Sequence, residues 1–282
     1  MQQTIHFTKM HGTGNDYIFV NVSECSVEHP QELARIWSNR HKGIGSDGLV
    51  LISVSEDGSF GMRIFNSDGS EAQMCGNAAR CVGKYLYDNG LTRQREVLLR
   101  TLAGDKLLHM EIGADGQVAC VEVDMGCPLW CDKSLLSTPD GMLCDGEVMV
   151  DGRSWRGTFV SMGNPHFVIF VDDAETFDIA SVGAQLESAD IFPERCNIEV
   201  ASVRSDGSIR MRVWERGSGI TLSCGTGACA TVVAAARTKR CARSCAVDTD
   251  GGRLHIRWRT ADDHVLMSGP ATKVYEGHIS IP

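Results

Sequence analysis

The feature that most constrains this chain of 282 residues is that part of it reads twice. Arg63–Val82, RIFNSDGSEAQMCGNAARCV, aligns without a gap on Arg212–Thr231, RVWERGSGITLSCGTGACAT, at an offset of 149. Arg63 meets Arg212, Phe65 meets Trp214, Cys75 meets Cys224, Gly76 meets Gly225 and Ala79 meets Ala228. Gly14-Asn15 falls on Gly163-Asn164 at the same offset, and each pair precedes an apolar run, Tyr17–Val20 and Phe167–Val171. Two separated matches at one offset indicate duplicated halves. The length agrees, since about 150 residues make one domain.

Each half then has one pattern. An alternating run, Met62–Phe65 or Met211–Trp214, leads through a glycine turn to Cys-Gly and a helix of small residues. The helices are predicted over Asn77–Asp88 and Thr226–Arg237. The second, with Ala228, Ala230 and Ala234–Ala236, is apolar on nearly all sides and should lie buried. Strands are predicted at Gly48–Val54, Val97–Leu102, Val118–Val123, Ser208–Val213 and Leu254–Trp258. They lack the regular strand–helix alternation of a doubly wound sheet. The fold class is therefore α+β, or mixed α/β: two pseudo-symmetric domains, each a β-sheet wrapped around a central helix. The Gly126/Pro128 punctuation places the boundary between domains at 1–124 and 125–269.

Composition narrows the function. Hydrophobic residues are 43%, enough for sizeable cores, and the formal charge of −9 argues against a nucleic-acid partner. Val232–Ala236, the longest apolar stretch near a motif, is far too short for a membrane span. The opening MQQTIHFTKM lacks the apolar core of a secretion signal, so a cytoplasmic protein with reduced cysteines is expected.

Twelve cysteines remain to be sorted. Cys75 and Cys224 fall at helix starts, where unpaired N–H groups and the positive dipole end favour an anion. That placement predicts a lowered thiol pKa. Gly76-Asn77 and Gly225-Thr226 could hold a carboxylate through their N–H groups, the glycines permitting close approach. Two-fold-related domains would set the two thiols on opposite sides of one α-carbon. One thiolate would remove the α-proton while the other thiol protonates the far face, which is two-base racemisation or epimerisation. The other ten cysteines read as structural. Cys127/Cys131 and Cys241/Cys245 share a C-x3-C spacing without a second ligand pair, so no metal is expected.

Six segments in order resemble the diaminopimelate epimerase family along nearly the whole chain. They are KMHGTGNDYIFV (Lys9–Val20), NRHKGIGSDG (Asn39–Gly48), FNSDGSEAQMCGNAARC (Phe65–Cys81), SMGNPHFVIFVDD (Ser161–Asp173), FPERCN (Phe192–Asn197) and ERGSGITLSCGTGACA (Glu215–Ala230). The resemblance implies a cofactor-independent isomerase that interconverts LL- and meso-diaminopimelate, a small-molecule substrate, on the route to lysine and peptidoglycan. It implies catalytic thiols at Cys75 and Cys224, with the reacting carboxylate on Gly76, Asn77, Gly225 and Thr226. Asn15 lies in the family's substrate-contacting segment. Asn66, Asn164, Asn197, Glu215 and Arg216 match the set holding the distal amino-acid end. His166 and Glu215 match a pair that influences thiol protonation.

The resemblance also implies a C-terminal tail, about residues 270–282, returning to the first domain. A homodimer is the expected assembly. Two departures stand out: Gly48 replaces a glutamine found in some members, and Ile220 replaces an acidic residue. A proline, hydroxyproline or histidine racemase is the alternative within this fold, disfavoured by the full distal set. A thiol redox protein is disfavoured because the chain contains no CxxC.

Overall fold

The computed structural model describes residues 4–55 and 57–281. Two compact units emerge, one reaching Val123 and joined by the segment from Gly269 onward, the other Asp124–Ser268.

The first unit carries β1 (Thr4–Gly12), β2 (Asn15–Asn21), α1 (Pro30–Trp37), β3 (Gly48–Val54), β4 (Phe60–Asn66) and β5 (Glu71–Ala72). It continues with α2 (Gly76–Asp88), β6 (Glu96–Arg100), β7 (Lys106–Ile112) and β8 (Val118–Asp124). The second carries β9 (Gly146–Val150), β10 (Arg153–Ser161), β11 (Pro165–Phe170), α3 (Gly183–Glu187), β12 (Asn197–Val203) and β13 (Ile209–Glu215). There follow β14 (Gly219–Thr221), α4 (Gly225–Arg237), β15 (Ser244–Thr249), β16 (Gly252–Trp258) and β17 (Val265–Gly269). The last strand, β18 (Thr272–Ser280), pairs antiparallel with β1 in the first unit.

The sequence repeat is a structural repeat. An offset of 149 carries both ends of β1, β3, β4 and α2 onto both ends of β10, β12, β13 and α4. The pairings repeat too. β1–β2 and β10–β11 are antiparallel, β2–β3 and β11–β12 parallel, and β3–β4 and β12–β13 antiparallel. β4–β6 and β13–β15 are parallel, each joined through the long helix, because parallel neighbours need a crossover connection. This is mixed α/β architecture dominated by sheet.

Helix α2 packs on β1, β2 and β7, and α4 on β10, β11, β12, β13, β15 and β16. Ten residues of α4 from Gly225 to Ala235 are buried, as its all-round apolar character requires. Both helices start one residue earlier than predicted, because each cysteine, still extended, acts as the N-cap. Strand β6 stops at Arg100, short of the predicted Leu102, where a turn closes with the Thr101 hydroxyl donating to the Gly104 carbonyl. Ile5, Ile18, Trp37, Leu49 and Phe65 form the core of the first unit, and Phe159, Phe167, Leu186, Phe192 and Ile198 that of the second. Burying each such side chain contributes about 1.5–3 kcal/mol.

Candidate functional site

Both N-cap cysteines have extended backbone, Cys75 at φ −139° and Cys224 at φ −111°. An extended residue before the first helical turn directs that turn's N–H groups out of the helix start. No acidic side chain occupies either first turn, so the positive dipole ends are not neutralised from within.

In the first unit, Cys75 Sγ lies 3.4 Å from Asn15 Oδ1, to which it can donate. Asn77 Nδ2 donates to the same oxygen at 3.3 Å. Asn15 is aimed by Asp47, whose Oδ2 accepts from Asn15 Nδ2 at 2.8 Å and from the Asp16 N–H at 3.1 Å. Asp16 in turn pairs with Lys9 and Arg40, and these cations hold its carboxyl below the ordinary range although burial opposes them. The Tyr17 hydroxyl donates to Cys75 Sγ at 3.8 Å. Burial and the Cys75 sulfur push this phenol well up, so it remains a donor. Asn66, at the end of β4, instead donates to Ser70 Oγ at 3.0 Å and is not joined to this group.

In the second unit Cys224, Thr226, Asn164 and His166 form one connected chain. Cys224 Sγ accepts from the Gly227 N–H at 3.4 Å and lies 3.5 Å from Thr226 Oγ1. Thr226 Oγ1 accepts from Asn164 Nδ2 at 3.3 Å, and Asn164 Oδ1 is 3.1 Å from His166 Nε2. His166 is fully buried, with Nδ1 2.7 Å from Glu199 Oε1. Thus the carboxylate bonded to His166 is Glu199, a residue sequence reasoning passed over. Its signal was available: a lone acid inside the apolar run NIEVASV. Glu199 lies close under the first turn of α4, where a Cβ at Gly227 would come within 2.6 Å of Oε1. Glu215 accepts from Thr221 Oγ1 at 2.5 Å and is a hydrogen-bond partner of Cys224. Burial raises its pKa, helped by nearby Glu199 and opposed by those two hydrogen bonds.

The lowered thiol pKa expected at a helix start does not hold for Cys224. Burial pushes the thiol well up, and the Glu215 and Glu199 charges add to this, while Thr226 and the Gly227 N–H oppose it. Desolvation and two carboxylates therefore outweigh one helix end. Folding thus favours the neutral form of the Cys224 thiol.

The turn after β13 carries Arg216. Its N–H donates to Asn197 Oδ1 at 2.9 Å and its Nη1 to the Glu194 carbonyl at 2.8 Å. Asn197 is fixed by donating to the Pro165 carbonyl at 2.8 Å. Glu187, buried at the end of α3, accepts from the Gly217 N–H and from Trp214 Nε1, both at 2.7 Å. Glu187→Ala strands these two donors, and the exposed Arg195 partner adds little. Urea denaturation should show a loss of about 2–4 kcal/mol; an unchanged midpoint would remove Glu187 as the anchor of this turn.

The departures also find their places. A Cβ at Gly48 would lie 2.3 Å from the Phe65 carbonyl and 3.1 Å from the Tyr17 ring, so no side chain fits there without a backbone shift. Ile220 is exposed on β14. The repeat further shows where the halves diverge. At the offset of 149, Tyr17 corresponds to His166 and Val50 to Glu199. One thiol faces a phenol and amides, the other an imidazole and carboxylates.

The sequence profile described as diaminopimelate epimerase matches residues 7–131 and 158–274. The diaminopimelate epimerase of Phocaeicola vulgatus is 53% identical over 281 residues, covering 100% of both chains. Among solved structures, a phenazine biosynthesis protein of the PhzF family from Bacillus anthracis has a TM-score of 0.72 at 16% identity, covering 99% of this chain and 100% of that one. A hydroxyproline epimerase from Agrobacterium vitis, solved with trans-4-hydroxy-L-proline, has a TM-score of 0.68 at 12% identity, covering 99% and 92%. At such identities the structural likeness speaks for the fold alone.

Proposed function

The chain belongs to the diaminopimelate epimerase family, and from that premise we propose that it interconverts LL- and meso-diaminopimelate by moving an α-proton between Cys75 and Cys224. The observation that carries the reading is the pair of N-cap cysteines, repeated at one offset and each heading a helix without a first-turn acid.

In this reading the substrate carboxylate receives hydrogen bonds from the N–H groups of Gly76, Asn77, Gly225 and Thr226. These donors also stabilise the charge that develops as the α-proton leaves. One thiolate takes the proton and the opposite thiol delivers another to the far face. The route requires each helix start to reach a different face of the same α-carbon, and it needs no cofactor. Cys224, held protonated, begins as the donor, so the stereoisomer deprotonated by Cys75 is the one turned over from the resting state. For the reverse direction Cys224 must first lose its proton, and Glu215, hydrogen-bonded to it, accepts it in this reading. The His166–Glu199 pair fixes Asn164, which orients Thr226.

The distal ammonium and carboxylate of the substrate go to Asn66, Asn164, Asn197, Glu215 and Arg216, while Asn15, beside Cys75, contacts the substrate near the reacting carbon. Arg216 supplies the planar fork that suits a carboxylate. Asn66 must exchange its bond to Ser70 for one to substrate. The enzyme is assigned to the cytoplasm, where thiols stay reduced, and a dimer is its expected assembly. No helix among the described residues is long and apolar enough to cross a membrane.

The test is incubation of the full chain with LL-diaminopimelate in D2O under reducing conditions, followed by chiral chromatography and mass spectrometry. The meso isomer should appear carrying solvent deuterium at the inverted carbon, while proline, hydroxyproline and histidine remain unchanged. Racemisation of one of those three, with diaminopimelate untouched, would replace this reading by the alternative substrate class.

A further inference from the structure

We propose that His166, Glu199 and Cys224 form a binding site for one thiophilic divalent cation of the zinc type, closed by the same thiol that the epimerase reaction uses. Each of the three residues offers one ligand atom, and these atoms all lie within 4.8 Å of one another. Imidazole nitrogen, carboxylate oxygen and thiolate sulfur are the three donor types that Zn²⁺ selects. With bonds of about 2.0–2.3 Å, a tetrahedral ion holds its ligand atoms roughly 3.3–3.8 Å apart, so the more distant atoms of this set would draw in and any closer pair would open.

A second observation points to the same place. Glu199 is fully buried, and its Oε2 has no hydrogen-bond partner among the described residues. Buried carboxylate oxygens are ordinarily satisfied, because leaving one unpaired is costly. A cation at Glu199 would use that oxygen's lone pairs. Around the set, Asn164 faces His166 Nε2 and the Gly227 N–H faces Cys224 Sγ, so both ligands are already oriented by neighbours.

Binding is an exchange of protons for the ion, with no change of oxidation state. The metal–sulfur bond forms as the Cys224 thiol releases its proton to solvent. If Nδ1 is the ligating nitrogen, the proton between His166 Nδ1 and Glu199 Oε1 passes to Nε2, or to solvent where Nε2 already carries one, and that pair then opens from 2.7 Å. Affinity therefore rises with pH. The repeat makes the site one-sided, since Tyr17 and Val50 at the equivalent positions bring no imidazole or carboxylate to Cys75. The ion would tie up Cys224 as a proton donor. That consequence rests on the reading of Cys224 as a catalytic thiol, whereas the ligand set does not.

Co²⁺ titration of the full, reduced chain tests the site directly, because a tetrahedral cobalt thiolate shows a sulfur-to-metal charge-transfer band and intense visible bands. One equivalent of Co²⁺ should develop these bands and Zn²⁺ should displace it. Cys75→Ser should keep the bands, Cys224→Ser should lose the charge-transfer band, and Glu199→Gln should weaken binding at least tenfold. X-ray absorption of the Zn²⁺-loaded wild-type protein, independent of any variant's folding, should show one sulfur among nitrogen and oxygen neighbours. Bands that persist in a folded Cys224→Ser variant, or an ion without a sulfur neighbour, would overturn the site. In parallel, Zn²⁺ should stop epimerisation and EDTA restore it. Cys224-dependent bands with undiminished turnover would uphold the site and instead sink the catalytic reading of Cys224.

Discussion

Cys75→Ala and Cys224→Ala should each lower the rate of epimerisation by about 10²–10⁴-fold or more, the range a positioned acid or base contributes. Each side chain is small, and the helix starts keep their backbone, so circular dichroism and thermal unfolding should change little. The two variants should also differ in a way that loss of folding cannot imitate. With one thiol gone, the remaining one can still remove and return a proton on its own face. Each variant should therefore exchange the α-proton of a single stereoisomer with D2O while failing to invert it, and the two variants should select opposite stereoisomers. Mass spectrometry of recovered LL- and meso-diaminopimelate reads this directly. Inversion at the wild-type rate in either variant would end the two-base account.

Arg216→Ala is expected to reduce kcat/KM by about 10²-fold, close to the value of a charge-assisted bond to one substrate carboxylate. The main chain of Arg216 is held by Asn197 and its neighbour Gly217 by Glu187, so the turn should survive truncation of the side chain. Most of the change should fall on KM, since the distal end is bound alike in ground and transition states. Lysine should recover only part of the loss, because an ammonium lacks the planar fork. Steady-state kinetics of the alanine and lysine variants decide the matter, and an unaltered KM in Arg216→Ala would remove this residue from the distal clamp.

Much of the fold could be read directly from the chain. The run Gly48–Val54 is strand β3 end to end, and both long helices lie within one residue of expectation. These features are legible because strand alternation, helix starts and the repeat are local patterns along the sequence. Cys75, Gly76 and Asn77, like Cys224, Gly225 and Thr226, stand at helix starts for the same reason. Other members of the site were less legible. Asp47, Tyr17, Glu187 and Glu199 each act on a group distant in sequence, and no motif spacing links them to it.

His166 and Glu199 meet because β11 and β12 run parallel, with His166 paired to Asn197 and Glu199 two residues further on the same strand. A parallel pairing joins segments about thirty residues apart here through a crossover, and its register is a tertiary matter. The contrast is sharpest at the twelve cysteines. By itself, the sequence determined that Cys75 and Cys224 are equivalent heads of duplicated helices. Only the tertiary structure decided that their surroundings are unlike, Tyr17 and Asn15 beside one thiol, His166, Glu199 and Glu215 around the other. Helix starts follow from local backbone preference, whereas a thiol's protonation depends on the water removed and the charges brought near it by folding.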